Sequence, residues 1–355
     1  MQTEKNLGAS SHAGHSSRQN PLQNSPQNSR TPRASGQGLS TQKSTERVLS
    51  AAPAKRAARA AKRVPGQGRT FIVPLCGFLP AFAALLLLFA SCNPDPDAGE
   101  PRALGEPGAL LWSDEFNGSS VDPAKWTFET GNGCPNLCGW GNNELQYYQA
   151  ANATIENFSD GERGLVIEAR QEKVGGFNYT SVRMKTQGLA SWTYGRFEAR
   201  IKLPKGQGIW PAFWMLGDNI TEVGWPVSGE IDIMELVGHE PDTVHGTFHY
   251  GDPHHKYDGR SYPLPTGDFS DDFHIFALEW EPGELRWYVD GTFYSRQAAW
   301  TTSLPEGFPA PFDRNFFLLL NLAVGGQWPG YPDSTTVFPQ RMYVDYVRVY
   351  SLDGG

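Results

Sequence analysis

Between Leu110 and Tyr350 the sequence consists of short alternating runs separated by Gly, Pro, Asn and Asp. Runs in which every second residue is apolar are typical of β-strands with one buried face. Two such runs meet at Asp290-Gly291, which predicts a β-hairpin. No amphipathic pattern long enough for a helix of about 12 residues is present. We therefore predict an all-β fold, and strands at this spacing favour a β-sandwich of roughly 240 residues in one domain.

The first 70 residues differ in character from the rest of the chain. They carry 12 Lys and Arg against 2 Asp and Glu, whereas residues 71–355 carry 18 against 36, so the two parts have net charges of +10 and −18. No Phe, Trp or Tyr precedes Phe71. Such a segment cannot bury a core, and we predict that residues 1–63 are a disordered basic segment. The acidic, aromatic-rich body argues against a nucleic-acid binder.

The basic segment is followed by a stretch with the features of a secretory signal. Residues 71–91 carry no charge and follow Arg63 and Arg69. A cationic flank, an apolar run and small residues before a break are typical of a signal peptide, which we assign to residues 64–91. The alternative is a transmembrane anchor, since about 20 apolar residues can span a bilayer. Two prolines interrupt the apolar run and count against that alternative.

The end of this stretch resembles a bacterial lipobox. Phe89-Ala90-Ser91 precedes Cys92, and in lipoproteins this Cys is lipidated and becomes the mature N-terminus. We therefore predict an exported lipoprotein at the membrane or cell surface, with residues 92–109 as a linker. A plain cleaved signal would give a secreted protein instead. Because a signal peptide starts a chain, our hypothesis for residues 1–63 is a mis-assigned start, with a true start at a Val codon such as that of Val64. The rival interpretation is a basic arm that binds nucleic acid or anionic lipid.

The run Ser228–Leu236 places three carboxylates in an otherwise apolar strand. Glu230 and Asp232 are two residues apart and share one face of that strand. Glu235 would lie on the opposite face under strict alternation, but one extra residue in a β-bulge returns it to the first face. Three neighbouring acids raise one another's affinity for a proton. Such crowding can keep one acid protonated near neutral pH while another stays ionised.

A pair of carboxyl groups in these two states is what glycoside hydrolysis needs. One carboxylate attacks the sugar carbon, and one carboxylic acid protonates the leaving oxygen. A retaining enzyme holds the two groups about 5–5.5 Å apart, so a bulge must shorten the spacing of an extended strand, which rises ~3.3 Å per residue. The alternatives are a solvated strand face and a Ca²⁺ site. The flanks are too apolar for the first, and the spacing lacks the loop pattern of a calcium-binding hand.

The run Glu230–Glu235 resembles the catalytic signature of glycoside hydrolase family 16. Six further stretches similar to that family occur in the family's order along the chain, at 112–116, 139–148, 208–216, 245–250, 321–328 and 344–350. The resemblance implies a jelly-roll β-sandwich with a concave substrate cleft, forming a single catalytic domain over residues 110–352. It also implies double displacement with retention of configuration and no cofactor for catalysis. Glu230 would be the nucleophile, Asp232 its electrostatic helper and Glu235 the general acid/base.

Details of the resemblance narrow the substrate. The bulged form of the signature is usual in laminarinases, agarases and carrageenases, and usually absent from mixed-linkage lichenases and xyloglucan-modifying enzymes. The runs 210–214 and 321–328 are most similar to laminarinases. We therefore predict an endo-acting hydrolase of β-1,3-glucan that also accepts mixed-linkage β-1,3-1,4-glucan as a substrate. The alternatives are a galactan hydrolase of the agarase or carrageenase type, a glucan-recognition protein without hydrolysis, and a transglycosylase.

Aromatic and polar side chains around the signature are candidates for sugar contacts. Trp210 and Trp214 flank a proline just before the catalytic run, and aromatic faces suit the apolar faces of sugar rings. Core packing is the alternative for both. Trp328 follows two glycines, which predicts a loop over the cleft. Asn143 and Arg183 are the candidates for contacts with sugar hydroxyls.

Five of the eight histidines lie between His239 and His255. His245 and His249 share a strand face, but no Cys or acid completes a convincing zinc set around them. The family resemblance makes His249 a cleft residue near the catalytic acids. We predict that the other four of these five histidines lie on surface loops.

Two cysteines and one aspartate have predicted structural roles. Cys134 and Cys138 lie in a loop of an exported chain, which favours a disulfide over a metal or redox role. Asp345 matches a position that binds a structural Ca²⁺ in many relatives, together with backbone carbonyls of Glu115 and a glycine near Gly161. The alternative for Asp345 is an ordinary polar strand residue. We expect the domain to act on its polysaccharide as a monomer.

Overall fold

A computed structural model describes residues 104–159, 161–251 and 254–352. The predicted basic segment, the signal peptide and Cys92 lie outside these ranges. Within them, helical structure is limited to α1 (Ile220–Val223) and two short 3₁₀ turns. The strands are β1 (Leu110–Asp114), β2 (Thr127–Phe128), β3 (Gln146–Tyr148), β4 (Ala153–Asn157), β5 (Arg163–Ala169), β6 (Tyr179–Ser181), β7 (Arg183–Lys185), β8 (Gly195–Lys202), β9 (Ile209–Gly217), β10 (Glu230–Glu235), β11 (Thr243–Tyr250), β12 (Lys256–Pro263), β13 (His274–Glu281), β14 (Glu284–Val289), β15 (Thr292–Gln297), β16 (Phe316–Val324) and β17 (Gln340–Tyr350).

The strands form two large antiparallel sheets. The eight-stranded sheet has the order β15-β14-β13-β8-β17-β5-β4, with β1 paired to β17. The seven-stranded sheet has the order β12-β11-β10-β9-β16-β7-β2, and β3 pairs with β6 in a short parallel ribbon. Strands distant in sequence are neighbours in both sheets, as in a Greek-key sandwich. The predicted all-β jelly-roll sandwich is confirmed.

Side chains from both sheets share one continuous apolar core. On β9, Phe213 and Met215 belong to this core, whereas Trp214 belongs to a separate small cluster with Leu216 and Phe317. Because successive side chains of a strand point to opposite faces, this second cluster lies on the side of the seven-stranded sheet that is turned away from the core. We call that side the open face.

Two local predictions agree with the structure. The turn between β14 and β15 has positive φ at both Asp290 (48°) and Gly291 (76°), as in the hairpin turn expected for this pair. A disulfide joins Cys134 and Cys138. None of the helices in the described ranges has the length and hydrophobicity of a membrane-spanning segment.

Candidate active site

Strand β10 carries the three acids, and a β-bulge aligns them. Along the β11 partner, Asp232 pairs with Thr247 and Glu235 pairs with His245, so three steps on β10 oppose two steps on β11. The extra residue turns Glu235 back to the open face beside Asp232. The consecutive Ile233 and Met234 are both buried at this point, which accounts for the lost alternation. The predicted bulge is therefore present, and the spacing of the acids in the sequence was sufficient to place it.

Glu230 is positioned by the turn that precedes it and by an indole from a neighbouring loop. Gly229 has φ of +80°, and a Cβ atom there would lie 2.8 Å from the ring of Phe316. Only glycine tolerates both the φ angle and the close approach. Trp225 donates its Nε1–H to Glu230 Oε2 at 3.1 Å. The second oxygen, Oε1, is 3.9 Å from His249 Nε2.

Asp232 is almost completely buried, with 2% of its surface exposed. His249 Nε2 lies 3.1 Å from Asp232 Oδ2. This contact lacks hydrogen-bond alignment, so Oδ2 has no hydrogen-bond partner among the described residues. His249 Nδ1 in turn lies 2.8 Å from His255 Nε2, within hydrogen-bond distance. His249 thus faces the acids, as predicted.

Glu235 is held by Trp210, which donates its Nε1–H to Glu235 Oε1 at 3.0 Å. The ring of Trp328 packs edge-on against Trp210 with 5.5 Å between centroids and also contacts His245. Trp328 remains 42% exposed, so its ring is available above the open face. The structure therefore brings Trp210 and Trp328 together next to the third acid. Their contact with a sugar stays a prediction.

Burial controls the ionisation of all three acids. It is the largest cause of the raised pKa of Glu230, and the charge of Asp232 adds to it, bringing that pKa to about 8. Burial also raises the pKa of Asp232 and that of Glu235. The charges of Asp232 and Glu230 raise the pKa of Glu235 further, whereas nearby His249 lowers it. Coupled acids of this kind share protons, so one can donate a proton while another stays ionised.

Trp214 and Arg183 lie deeper on the open face than Trp210. Trp214 is 9% exposed and donates its Nε1–H to Asn321 Oδ1 at 2.7 Å. The Arg183 guanidinium lies between the rings of Trp140 and Trp214, at 4.6 and 4.7 Å from their centroids, and pairs with Glu129. Packing and polar contacts therefore fix both side chains on the open face. Their sugar contacts stay predictions.

Asn143 lies on an exposed turn with φ of +60°. The neighbouring Asn142 accepts a hydrogen bond from the Gln327 backbone N–H at 2.9 Å. This bond ties the turn to the loop that carries Trp328. The contact of Asn143 with a sugar hydroxyl also stays a prediction.

The candidate calcium residues lie around a cavity of about 390 Å³ that also contains arginines. Arg200 donates to Asp345 Oδ2 at 2.7 Å, and Arg348 binds the carboxylate of Glu115 through two hydrogen bonds. Gly161 has φ of +92° in a nearby turn. Oxygen donors suit a hard cation such as Ca²⁺. An ion on Asp345 would share its carboxylate with Arg200.

Comparisons with known proteins agree with the site. Residues 140–348 match the sequence profile described as "Glycosyl hydrolases family 16". The beta-glucanase of Rhodothermus marinus is 48% identical over 68% of this chain and 84% of its own length. The chain belongs to glycosyl hydrolase family 16. The resemblance inferred from the sequence motifs is therefore confirmed, and the protein is a glycoside hydrolase.

Two further family 16 members have names that bear on the substrate. The catalytic domain of the laminarinase from Thermotoga maritima MSB8, solved with cetyltrimethylammonium bromide, is 51% identical. It aligns with a TM-score of 0.63 over 70% of this chain and 99% of its own. The glucan endo-1,3-beta-glucosidase of Cryptopygus antarcticus is 45% identical over 62% of this chain and 82% of its own length.

Sequence reasoning missed three residues beside the acids of this family 16 site, namely Trp225, His255 and Tyr257. Trp225 holds Glu230 and packs on His255, while Tyr257 stacks on His249 and is 69% exposed. Trp225 stands five residues before Glu230, so its place in the loop entering β10 could have marked it. The pairing of Tyr257 with His249 across β11 and β12 depends on strand register, which the sequence does not provide.

The prediction that the remaining histidines are surface-loop residues is correct only in part. His239 and His254 are exposed in loops. His245 lies on β11, with its ring against Trp328. His255 stacks on His249, so it belongs to the site. Glu230 and Asp232 approach His249 from the adjacent strand, a grouping of possible metal ligands that the sequence analysis did not anticipate.

Proposed function

We propose that this family 16 hydrolase cleaves β-1,3-glucan internally with retention of configuration, and that it also accepts mixed-linkage β-1,3-1,4-glucan. The observation that carries the proposal is the bulged strand β10, which presents Glu230, Asp232 and Glu235 on the open face. The names of its relatives support the proposed substrate: beta-glucanase, laminarinase and glucan endo-1,3-beta-glucosidase.

The geometry suits two successive displacements at the sugar carbon. Glu230, held by Trp225, attacks that carbon while Glu235, held by Trp210, donates its proton to the leaving oxygen. Water then attacks the sugar carbon of the covalent glycosyl-enzyme and releases Glu230, while Glu235 takes the proton from that water. Asp232 lies between them and couples the two ionisations, since its charge raises the pKa of both glutamates. Interception of the same intermediate by a sugar would give transglycosylation.

A substrate panel tests this proposal. We expect reducing-end release by the purified protein to be highest on laminarin and lower on mixed-linkage β-glucan. It should be absent on agarose and κ-carrageenan, and for the sulfated κ-carrageenan the strongly acidic body of the chain adds electrostatic repulsion. Oligosaccharides of several lengths should appear early, as endo-action requires. Glu230→Gln is the inactive control. Activity on a galactan alone would contradict β-1,3-glucan as the substrate. Binding of a glucan without hydrolysis would favour a recognition protein.

We also propose that Ca²⁺ binds at Asp345 and stabilises the fold. Asp345 lies in the cavity shared with Glu115, and Ca²⁺ would compete with Arg200 for the Asp345 carboxylate, 2.7 Å from the guanidinium. About 1 mM Ca²⁺ should raise Tm by a few °C relative to excess EGTA, because an ion that binds only the folded state stabilises it. Asp345→Asn should remove the shift while Asp333→Asn, an exposed aspartate elsewhere, keeps it. An equal Tm with and without Ca²⁺ would contradict this proposal.

We infer that the enzyme is exported as a monomer and anchored through a lipid on Cys92. The support is the sequence alone: an uncharged run after Arg63 and Arg69, small residues before Cys92 and an acidic linker after it. In a bacterial host, an alkyne fatty acid should label the wild-type protein and leave Cys92→Ala unlabelled. Cys76→Ala, which lies inside the predicted signal, is the matched control and should still be labelled. Labelling of both variants would contradict the anchor.

A further inference from the structure

One carboxylate or imidazole atom from each of Glu230, Asp232 and His249 lies within 4.8 Å of the other two. His249 Nε2 is 3.1 Å from Asp232 Oδ2 and 3.9 Å from Glu230 Oε1. In a tetrahedral zinc site with bonds of about 2.0–2.2 Å, neighbouring ligand atoms are about 3.3–3.6 Å apart. The two His249 distances lie within about 0.3 Å of that range, and the Glu230–Asp232 separation, at most 4.8 Å, reaches it by a closure of up to about 1.5 Å shared between the two side chains.

The buried oxygen of Asp232 points to a ligand. Asp232 is 2% exposed, and its Oδ2 has no hydrogen-bond partner among the residues that the structure describes. A buried polar atom without a partner is costly, and a cation bound to it removes that cost. The nearest polar atom is His249 Nε2, which itself is a metal-ligand atom.

Neighbouring side chains orient the other two ligands. Trp225 engages Oε2 of Glu230, which leaves Oε1 on the side of His249. His255 stacks on His249 and places its Nε2 2.8 Å from Nδ1 of that ring. When the Nδ1–H of His249 donates to His255, Nε2 carries a lone pair directed at the acids. Metal-binding histidines are commonly held in this way by a second residue.

We propose that Glu230, Asp232 and His249 form an inhibitory site for one transition-metal ion such as Zn²⁺, with water at the open position. An imidazole beside two carboxylates favours Zn²⁺ or Cu²⁺ over Ca²⁺ and Mg²⁺. The ion inhibits because it engages Glu230 Oε1 and the adjacent Asp232, which the sugar must approach. This inhibition rests on the proposed hydrolysis, whereas the binding of the ion does not.

Thermal unfolding tests the binding independently of catalysis. Protein in excess Ca²⁺, which saturates sites for hard cations, is unfolded with and without about 0.1 mM ZnCl₂; Zn²⁺ should raise Tm by about 3 °C. His249→Gln should lose the shift, and Glu230→Gln is a second ligand variant that should lose most of it. His254→Gln, an exposed histidine on the adjacent loop, should keep it. An unchanged wild-type Tm, or a shift that persists in His249→Gln, overturns the site.

Initial rates test the inhibition. About 0.1 mM Zn²⁺ should lower laminarin hydrolysis at least about tenfold, with apparent KM rising and kcat recovered at high substrate, because ion and substrate exclude each other. Excess chelator should restore the rate. A Tm shift without inhibition overturns the inhibitory role. A protein that hydrolyses no glucan contradicts the proposed function instead, and the Tm experiment still decides the metal site.

Discussion

Glu230→Gln should lower kcat/KM on laminarin by at least about 10³-fold, because an amide cannot form the covalent glycosyl-enzyme. The substitution changes little else at the site. Gln has the shape of Glu, and its side-chain carbonyl can accept the Nε1–H that Trp225 donates to Glu230 Oε2. The loss should therefore appear in kcat rather than in KM. Reducing-end release from laminarin, compared with the wild-type protein at the same concentration, measures it.

The same variant should be more stable than the wild-type protein at alkaline pH. Burial and the charge of Asp232 raise the pKa of Glu230 from 4.5 to about 8, so the folded state holds this proton more tightly than the unfolded chain. Ionisation of Glu230 therefore destabilises the folded state progressively as pH rises from about 4.5 to 8. Gln at position 230 cannot ionise, so the variant keeps the folded-state stability that the wild-type protein loses.

The stability measurement separates the role of Glu230 from a folding defect. The Tm of Glu230→Gln minus the wild-type Tm should be near zero at pH 5 and positive at pH 8. A variant that is inactive but has a lower Tm at both pH values would attribute the lost activity to misfolding. Residual hydrolysis within about tenfold of wild type would remove Glu230 from the role of nucleophile.

The predictable part of this molecule is the part encoded by strand alternation. The acids at 230, 232 and 235 could share a face only through a bulge, and the register between β10 and β11 contains that bulge. The turn at Asp290-Gly291 is similarly local, since two residues with positive φ suffice to define it. Local periodicity thus predicted both the fold class and the bulged strand that carries the three acids.

The remaining parts of the site depend on contacts between segments that are distant in sequence. Arg183 lies between Trp140 and Trp214, which belong to different segments, so no local pattern indicates that stack. The metal-ligand set was missed for the same reason. The carboxylate oxygens near His249 come from β10, the strand paired with β11, and not from the segment that contains the histidines.

Glu235→Gln should lower kcat/KM on laminarin by about 10²–10⁴-fold, the usual contribution of a positioned acid. Trp210, which donates to Glu235 Oε1 at 3.0 Å, can donate equally to the side-chain carbonyl of Gln, so the position of the side chain is preserved. The loss should be much smaller in the first step for an aryl β-glucoside of a laminari-oligosaccharide. An activated phenolate leaves without a proton, and only a sugar alkoxide needs the acid.

External azide distinguishes the two glutamates. In Glu235→Ala, azide needs no general base, so it should attack the covalent intermediate on Glu230 and give a glycosyl azide of retained β configuration. In Glu230→Ala, azide should replace the nucleophile and give the α azide while Glu235 still supplies the proton. NMR of the azide products formed from the aryl substrate identifies their anomers, and the anomer decides which glutamate is the nucleophile. A β azide from the Glu230 variant would reverse the assigned roles of the two glutamates. Equal losses of activity on laminarin and on the aryl glucoside in Glu235→Gln would remove Glu235 from the role of general acid. The two carboxyls lie on one strand and burial raises the pKa of both, so the stereochemistry of the trapped product is the observation that separates them.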